Sequence, residues 1–131
     1  MKFAKAFIAI TGLMFACYGA YLIVDPKQLV EIANFSIPEN TALTEIRAMY
    51  GGLQLAIGLF MLICWKQDQL VRPCLLFMSL AFFCLAATRT LGLLIDSADS
   101  GYNLSATIYE SVSAVIALGF YLKLPRLTTK S

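Results

Sequence analysis

Glu45, Arg47, Arg89 and Glu110 sit within or beside apolar runs long enough to cross a bilayer. Charge at that depth is expensive, so it usually has a partner or a task. Arginine carries a rigid, permanently charged donor fork that suits carboxylate or phosphate. Either glutamate could orient such a fork. Tyr50 and Tyr109 can donate hydroxyls while their rings pack against lipid-like groups, and Gln54 adds an amide. The chemistry on offer is recognition of a lipid headgroup, a small anion or a partner segment. The competing reading is structural: a glutamate–arginine pair that only fixes helix register.

Catalysis is poorly supplied. The sequence has no histidine, the commonest proton shuttle and metal ligand. Ser111 and Ser113 have no histidine base and read as packing residues. A glutamate acid would stand without an identifiable nucleophile. The four cysteines, Cys17, Cys64, Cys74 and Cys84, lack C-x-x-C spacing and fall in or near apolar runs, which points to membrane packing. No metal or other cofactor is expected, and the enzyme reading is disfavoured.

The elements that must position these residues follow from composition. Of 131 residues, 60% are hydrophobic and only 14% are charged. A soluble domain usually carries about 25% charged residues. The expected fold is all-α: an integral membrane four-helix bundle with antiparallel neighbouring spans, in one domain. The spans are placed at about 3–24, 41–64, 70–95 and 102–124. Lys2 and Lys5 precede an apolar stretch too long for a secretory signal, so the first span is expected to stay uncleaved. Asp25-Pro26 stops it. Residues 27–40 read equally well as a short interfacial helix or a loop. Thr41 and Thr44 are candidate N-caps for span two. Pro73 is expected in the first turn of span three. DSADSG, residues 96–101, reads as a turn, and Pro125 closes span four.

Lysine and arginine give the orientation. Lys2, Lys5, Lys66, Arg72, Lys123, Arg126 and Lys130 fall on one side, which should be cytoplasmic, with both termini inside. All acidic residues except Asp68 fall toward the other side. Arg89 then lies about 10 Å along its helix from the outer end, and Glu110 lies at similar depth on span four. Thr88, Thr90, Thr107 and Ser111 could join the same leaflet. Arg47, Tyr50, Gly51, Gln54 and Gly58 are expected along one stripe of span two, with Glu45 pointing elsewhere. Arg89 is expected to pair with Glu110 or Glu45.

Small residues suggest close helix approach. Gly12, Ala16, Gly19 and Ala20 mark an edge of span one, and Gly51, Gly52, Ala56 and Gly58 one of span two. Internal packing is the first reading, and a homo-oligomer interface the second. A nucleic-acid partner is excluded by the absence of a basic block.

The run Glu45-Ile46-Arg47-Ala48-Met49-Tyr50-Gly51-Gly52 resembles the E-x-R-x-x-Y-G-G motif of a bacterial family of small four-span proteins, domain of unknown function family 4345. Arg89 is similar to that family's later arginine. The resemblance covers nearly the whole chain. It implies a multi-pass protein of the bacterial cytoplasmic (inner) membrane without an assigned activity. Glu45, Arg47, Tyr50, Gly51, Gly52 and Arg89 would be its motif residues.

The expected function is a small membrane accessory or binding protein. Its outer-leaflet cluster of Glu45, Arg47, Tyr50, Gln54, Arg89, Tyr109 and Glu110 would contact membrane lipid, a small anionic or amphipathic ligand, or a membrane protein partner. Gly51, Gly52 and Gly58 would serve helix packing. The alternative is a small oligomeric transporter or channel, which requires a water path below the cluster.

Overall fold

The computed structural model describes residues 1–33, 40–96 and 100–125, and all of its regular structure is helical. Helix α1 (Lys2–Val24) ends where Asp25-Pro26 interrupts the backbone ladder. Asp25 Oδ1 accepts from the Lys27 N–H (3.2 Å), which starts α2 (Lys27–Ala33). That short helix buries Leu29, so the first part of residues 27–40 is helical, and residues 34–39 lie outside the described part.

The next span has three parts: α3 (Asn40–Ile46), a π-helical segment (Arg47–Gly52) and α4 (Leu53–Lys66). Thr41 and Thr44 lie inside α3, so neither is its N-cap; the helix begins upstream of both. Gln67 alone, in an extended conformation, separates α4 from α5 (Asp68–Ile95). Asp68 suits a helix's first turn, where a carboxylate meets the positive end of the macrodipole. The helix therefore starts earlier than residue 70, and Pro73 lies inside it rather than in its first turn. Ser100 caps α6 (Gly101–Lys123), its Oγ accepting from the Asn103 N–H at 3.2 Å. Residues 97–99 of the expected turn and the basic tail from residue 126 lie outside the described residues.

Four helices are long and apolar enough to cross a membrane: Lys2–Val24, Thr41–Lys66, Asp68–Ile95 and Gly101–Lys123. At about 1.5 Å per residue each exceeds the ~30 Å hydrocarbon layer. The chain is thus built as a multi-pass membrane protein.

The chain divides into two compact units, Lys5–Lys66 and Met1–Ala4 with the chain from Gln67 onward. In the first, α1 and α4 meet along a seam of glycines. A Cβ added to Gly12 would lie 2.8 Å from Met61 Cβ, and one added to Gly51 would lie 2.8 Å from Ile23 Cγ1. Cβ atoms on Gly19 and Gly58 would collide with the backbone nitrogens of Leu55 and Ala16. Without lipid-phase hydrophobic attraction between helices, such close approach supplies the dispersion contacts that hold them. The seam takes Gly12, Ala16, Gly19, Gly51 and Gly58 from the expected edges. Ala20 and Ala56 are instead exposed, and Gly52 meets only the Arg47 carbonyl, 3.7 Å from where its Cβ would stand.

In the second unit α5 packs along α6. Val71, Cys74, Leu75, Met78, Phe82 and Ala86 recur at helical spacing and are buried on α5. Phe82 meets Tyr109 edge to face, with ring centroids 5.7 Å apart. Near the start of α5, Arg72 Nε–H donates to the Leu124 carbonyl (3.2 Å), and its guanidinium lies 4.2 Å over the Tyr121 ring. This clasp satisfies a carbonyl at the end of α6 with a cation, which suits the negative end of the helix dipole. Arg72→Ala is expected to destabilise the fold by about 1–3 kcal/mol, from one charge-assisted hydrogen bond and one cation–π contact. Arg72→Lys should recover only part of that. Thermal unfolding in detergent micelles measures both.

Candidate functional site

The charged residues separate into two groups, one in each unit. In the α5–α6 unit, Arg89 meets Glu110 through two donors of its fork. Nε–H donates to both carboxylate oxygens (3.3 and 3.1 Å), and Nη2–H donates to Oε1 at 2.9 Å. Nη1–H donates to Asn103 Oδ1 at 3.2 Å, and the guanidinium stands 5.8 Å from the centre of the Tyr102 ring. Glu110 is buried, its side chain 8% exposed, while that of Arg89 is 26% exposed. Of the two expected acceptors for Arg89, Glu110 is thus one it engages. Burying a carboxylate is tolerable here because a cation faces it with good hydrogen-bond geometry.

Helical spacing builds this network. Asn103 and Glu110 are seven residues apart, two turns, and so share a face of α6. The Ser100 cap fixes the first turn that carries Asn103. Residue type alone does not single out Asn103 or Tyr102, and the two-turn spacing from Glu110 is the signal that finds Asn103. Several expected members do not join. The Thr88, Thr90 and Thr107 hydroxyls donate to carbonyls of their own helices, those of Cys84, Ala86 and Asn103. Ser111 is exposed, and Tyr109 packs on Phe82.

The second group lies on α3 and the π-helical segment. Glu45, Arg47 and Tyr50 are exposed, and Gln54 is half-buried. Among the described residues, Glu45 and Arg47 make no ion pair with each other or with a third group. Two helix positions apart, they project to different sides. The expected single stripe of Arg47, Tyr50, Gly51, Gln54 and Gly58 is broken. Gly51 and Gly58 are buried, whereas Arg47 and Tyr50 are not. The cause is local: Leu53 N–H donates to the Ala48 carbonyl, five residues back. A five-residue turn advances through less angle per residue than an α-helix, so upstream side chains are rotated.

A family model described as "Domain of unknown function (DUF4345)" matches residues 3–121. The chain belongs to this family. No curated protein and no solved structure matches it. In this DUF4345 protein the E-x-R-x-x-Y-G-G run coincides with the end of α3 and the π-helical segment, a backbone form often found at functional sites. The later arginine of the DUF4345 chain, Arg89, is the one neutralised by Glu110. Among the described residues no group of histidine, cysteine, aspartate or glutamate could hold a metal ion. Cys17 and Cys84 are exposed, and Cys64 and Cys74 are buried.

Proposed function

We propose that this DUF4345 protein is a small integral membrane binding protein. Its four spans cross the bacterial cytoplasmic membrane in alternating directions as antiparallel neighbours, with both termini inside. Its motif engages an anionic group at the outer boundary. The lysine and arginine excess at the ends of α4 and α6 and the starts of α1 and α5 supports that orientation.

The observation that carries the reading is Arg47. It is exposed six residues into the apolar span Thr41–Lys66, with no ion-pair partner among the described residues. That is about 9 Å from the helix start, at the depth where a guanidinium reaches headgroup phosphate. Arg89 is already neutralised by Glu110, and with Asn103 it serves the packing of α5 on α6. Tyr50 and Gln54 supply neighbouring polar contacts, and Glu45 sets which headgroups or partner segments are tolerated.

The test is lipid retention after mild detergent extraction from nanodiscs of phosphatidylcholine with phosphatidylglycerol. Arg47→Gln is expected to lower retained phosphatidylglycerol by about tenfold, the equivalent of one charge-assisted hydrogen bond. Displacement by millimolar inorganic phosphate would identify a soluble anion, rather than lipid, as the ligand. Equal retention by the variant and the parent protein, with no effect of phosphate, would sink the assignment.

A further inference from the structure

Ile46, Gly51 and Gly58 are buried on one span. Gly51 and Gly58 are seven residues apart, two α-turns, and both press on α1. An α-helix continued upstream from them would bring position 47 onto that face, four residues before Gly51. The chain does otherwise. The buried side chain is Ile46, five residues before Gly51, and Arg47 is exposed. A spacing of five matches the five-residue hydrogen bond from Leu53 N–H to the Ala48 carbonyl. The π-helical segment thus exchanges an arginine for an isoleucine on the buried face.

The two sides of this exchange are unequally held. Gly51 is fixed, because it and Gly58 lie in the seam with α1, where no side chain fits. Upstream, Thr44, Glu45, Arg47, Ala48 and Met49 are all exposed, and Ile46 is the buried exception among them. Any change of register therefore turns α3, not α4. Gly51 and Gly52 end the π-helical segment and have weak α-helix preference, which lowers the advantage of closing it into regular α-helix.

We infer that Arg47–Gly52 is a two-register joint whose π-helical form presents Arg47 to an anionic headgroup and whose α-helical form withdraws it. This rests on the reading of Arg47 as the binding residue. The coupling follows from differential affinity. In the α register the arginine side chain is directed to the α1 face, where it cannot meet an anion, so an anion on Arg47 holds the π register. Ile46 is the reporter: it is buried in the π form and turns toward the edge of the packing face in the α form.

The experiment replaces exposed Cys17 and Cys84 with alanine and leaves buried Cys64 and Cys74, that protein being the blank. Ile46→Cys is then labelled with a membrane-impermeant maleimide in vesicles. Val24→Cys, exposed at the end of α1 and outside the joint, normalises for reagent concentration at a charged surface. Ala42→Cys, half-buried on α3, is a second reporter should Ile46→Cys fold poorly. Changing from phosphatidylcholine alone to a mixture with phosphatidylglycerol should slow the normalised labelling of Ile46→Cys by at least about threefold. Arg47→Gln in the same background should abolish that dependence. Rates indifferent to lipid, in a protein whose phosphatidylglycerol retention still falls with Arg47→Gln, would overturn the joint and leave the binding reading standing. Retention indifferent to Arg47→Gln would overturn the reading beneath it.

Discussion

Replacing Arg89 with alanine is expected to destabilise the α5–α6 unit by about 3–5 kcal/mol, because it strands a buried carboxylate. Glu110 is 8% exposed at its side chain and draws on Nε and Nη2 of Arg89, so the loss removes its cation and several of its hydrogen bonds together. Asn103 loses the Arg89 Nη1 donor in the same step. Glu110→Ala should be milder, since the Arg89 side chain is 26% exposed and can turn toward water or headgroups. The double variant Arg89→Met, Glu110→Leu separates charge burial from pairing. It should recover most of the stability lost in Arg89→Ala, as apolar replacement of a buried pair commonly does. Loss of helical signal on titration with a denaturing detergent measures all three. An Arg89→Ala protein as stable as the parent would contradict the buried pair.

Gly58→Ala is expected to disrupt the α1–α4 seam by about 1–3 kcal/mol or more, the usual penalty for overpacking. One methyl group would collide with the Ala16 backbone nitrogen and approach the Gly12 carbonyl. Backbone cannot step aside as a flexible side chain can, so the helices must separate along their contact. Gly119→Ala makes the opposite prediction. Nothing lies within 4 Å of its Cβ position, and α6 should gain up to about 1 kcal/mol from alanine's better helix propensity. The pair compares the same substitution inside and outside the seam. If both variants unfold alike in the detergent titration, the seam is not what holds these helices.

Much of the span architecture is legible in the sequence because it depends on two coarse signals. Apolar length sets where a helix crosses, and Pro26, Gln67 and Pro125 stand where helices stop. Arg89 and Glu110 are legible as partners because equal depth on two spans is simple arithmetic at about 1.5 Å per residue. What escapes depends on local backbone form. Arg47 falls on the Gly51–Gly58 stripe only if the helix keeps about 3.6 residues per turn throughout. One wider turn between Arg47 and Gly52 rotates everything upstream of it. Glycine pairs, arginine and tyrosine give no periodic signal for such a turn. The threonines escape for another reason: a hydroxyl in a helix satisfies itself on the carbonyl four residues back, and residue type alone does not show that preference.

The contacts of α5 with α6 lie at very different distances from the end of α5. Arg89 is about 10 Å along its helix from Asp96, and Arg72 about 36 Å. For two rods linked at one end, the displacement caused by a given angular error grows with distance from that end. Arg89 and Glu110 therefore need the smaller search to meet, and their hydrogen bonds are directional. That contact fixes the azimuth of each rod, and in the same azimuth Arg72 faces Tyr121 and Leu124. The pair works as a sight at the near end, and the clasp at the far end magnifies any error of aim about threefold, in the ratio of those two distances.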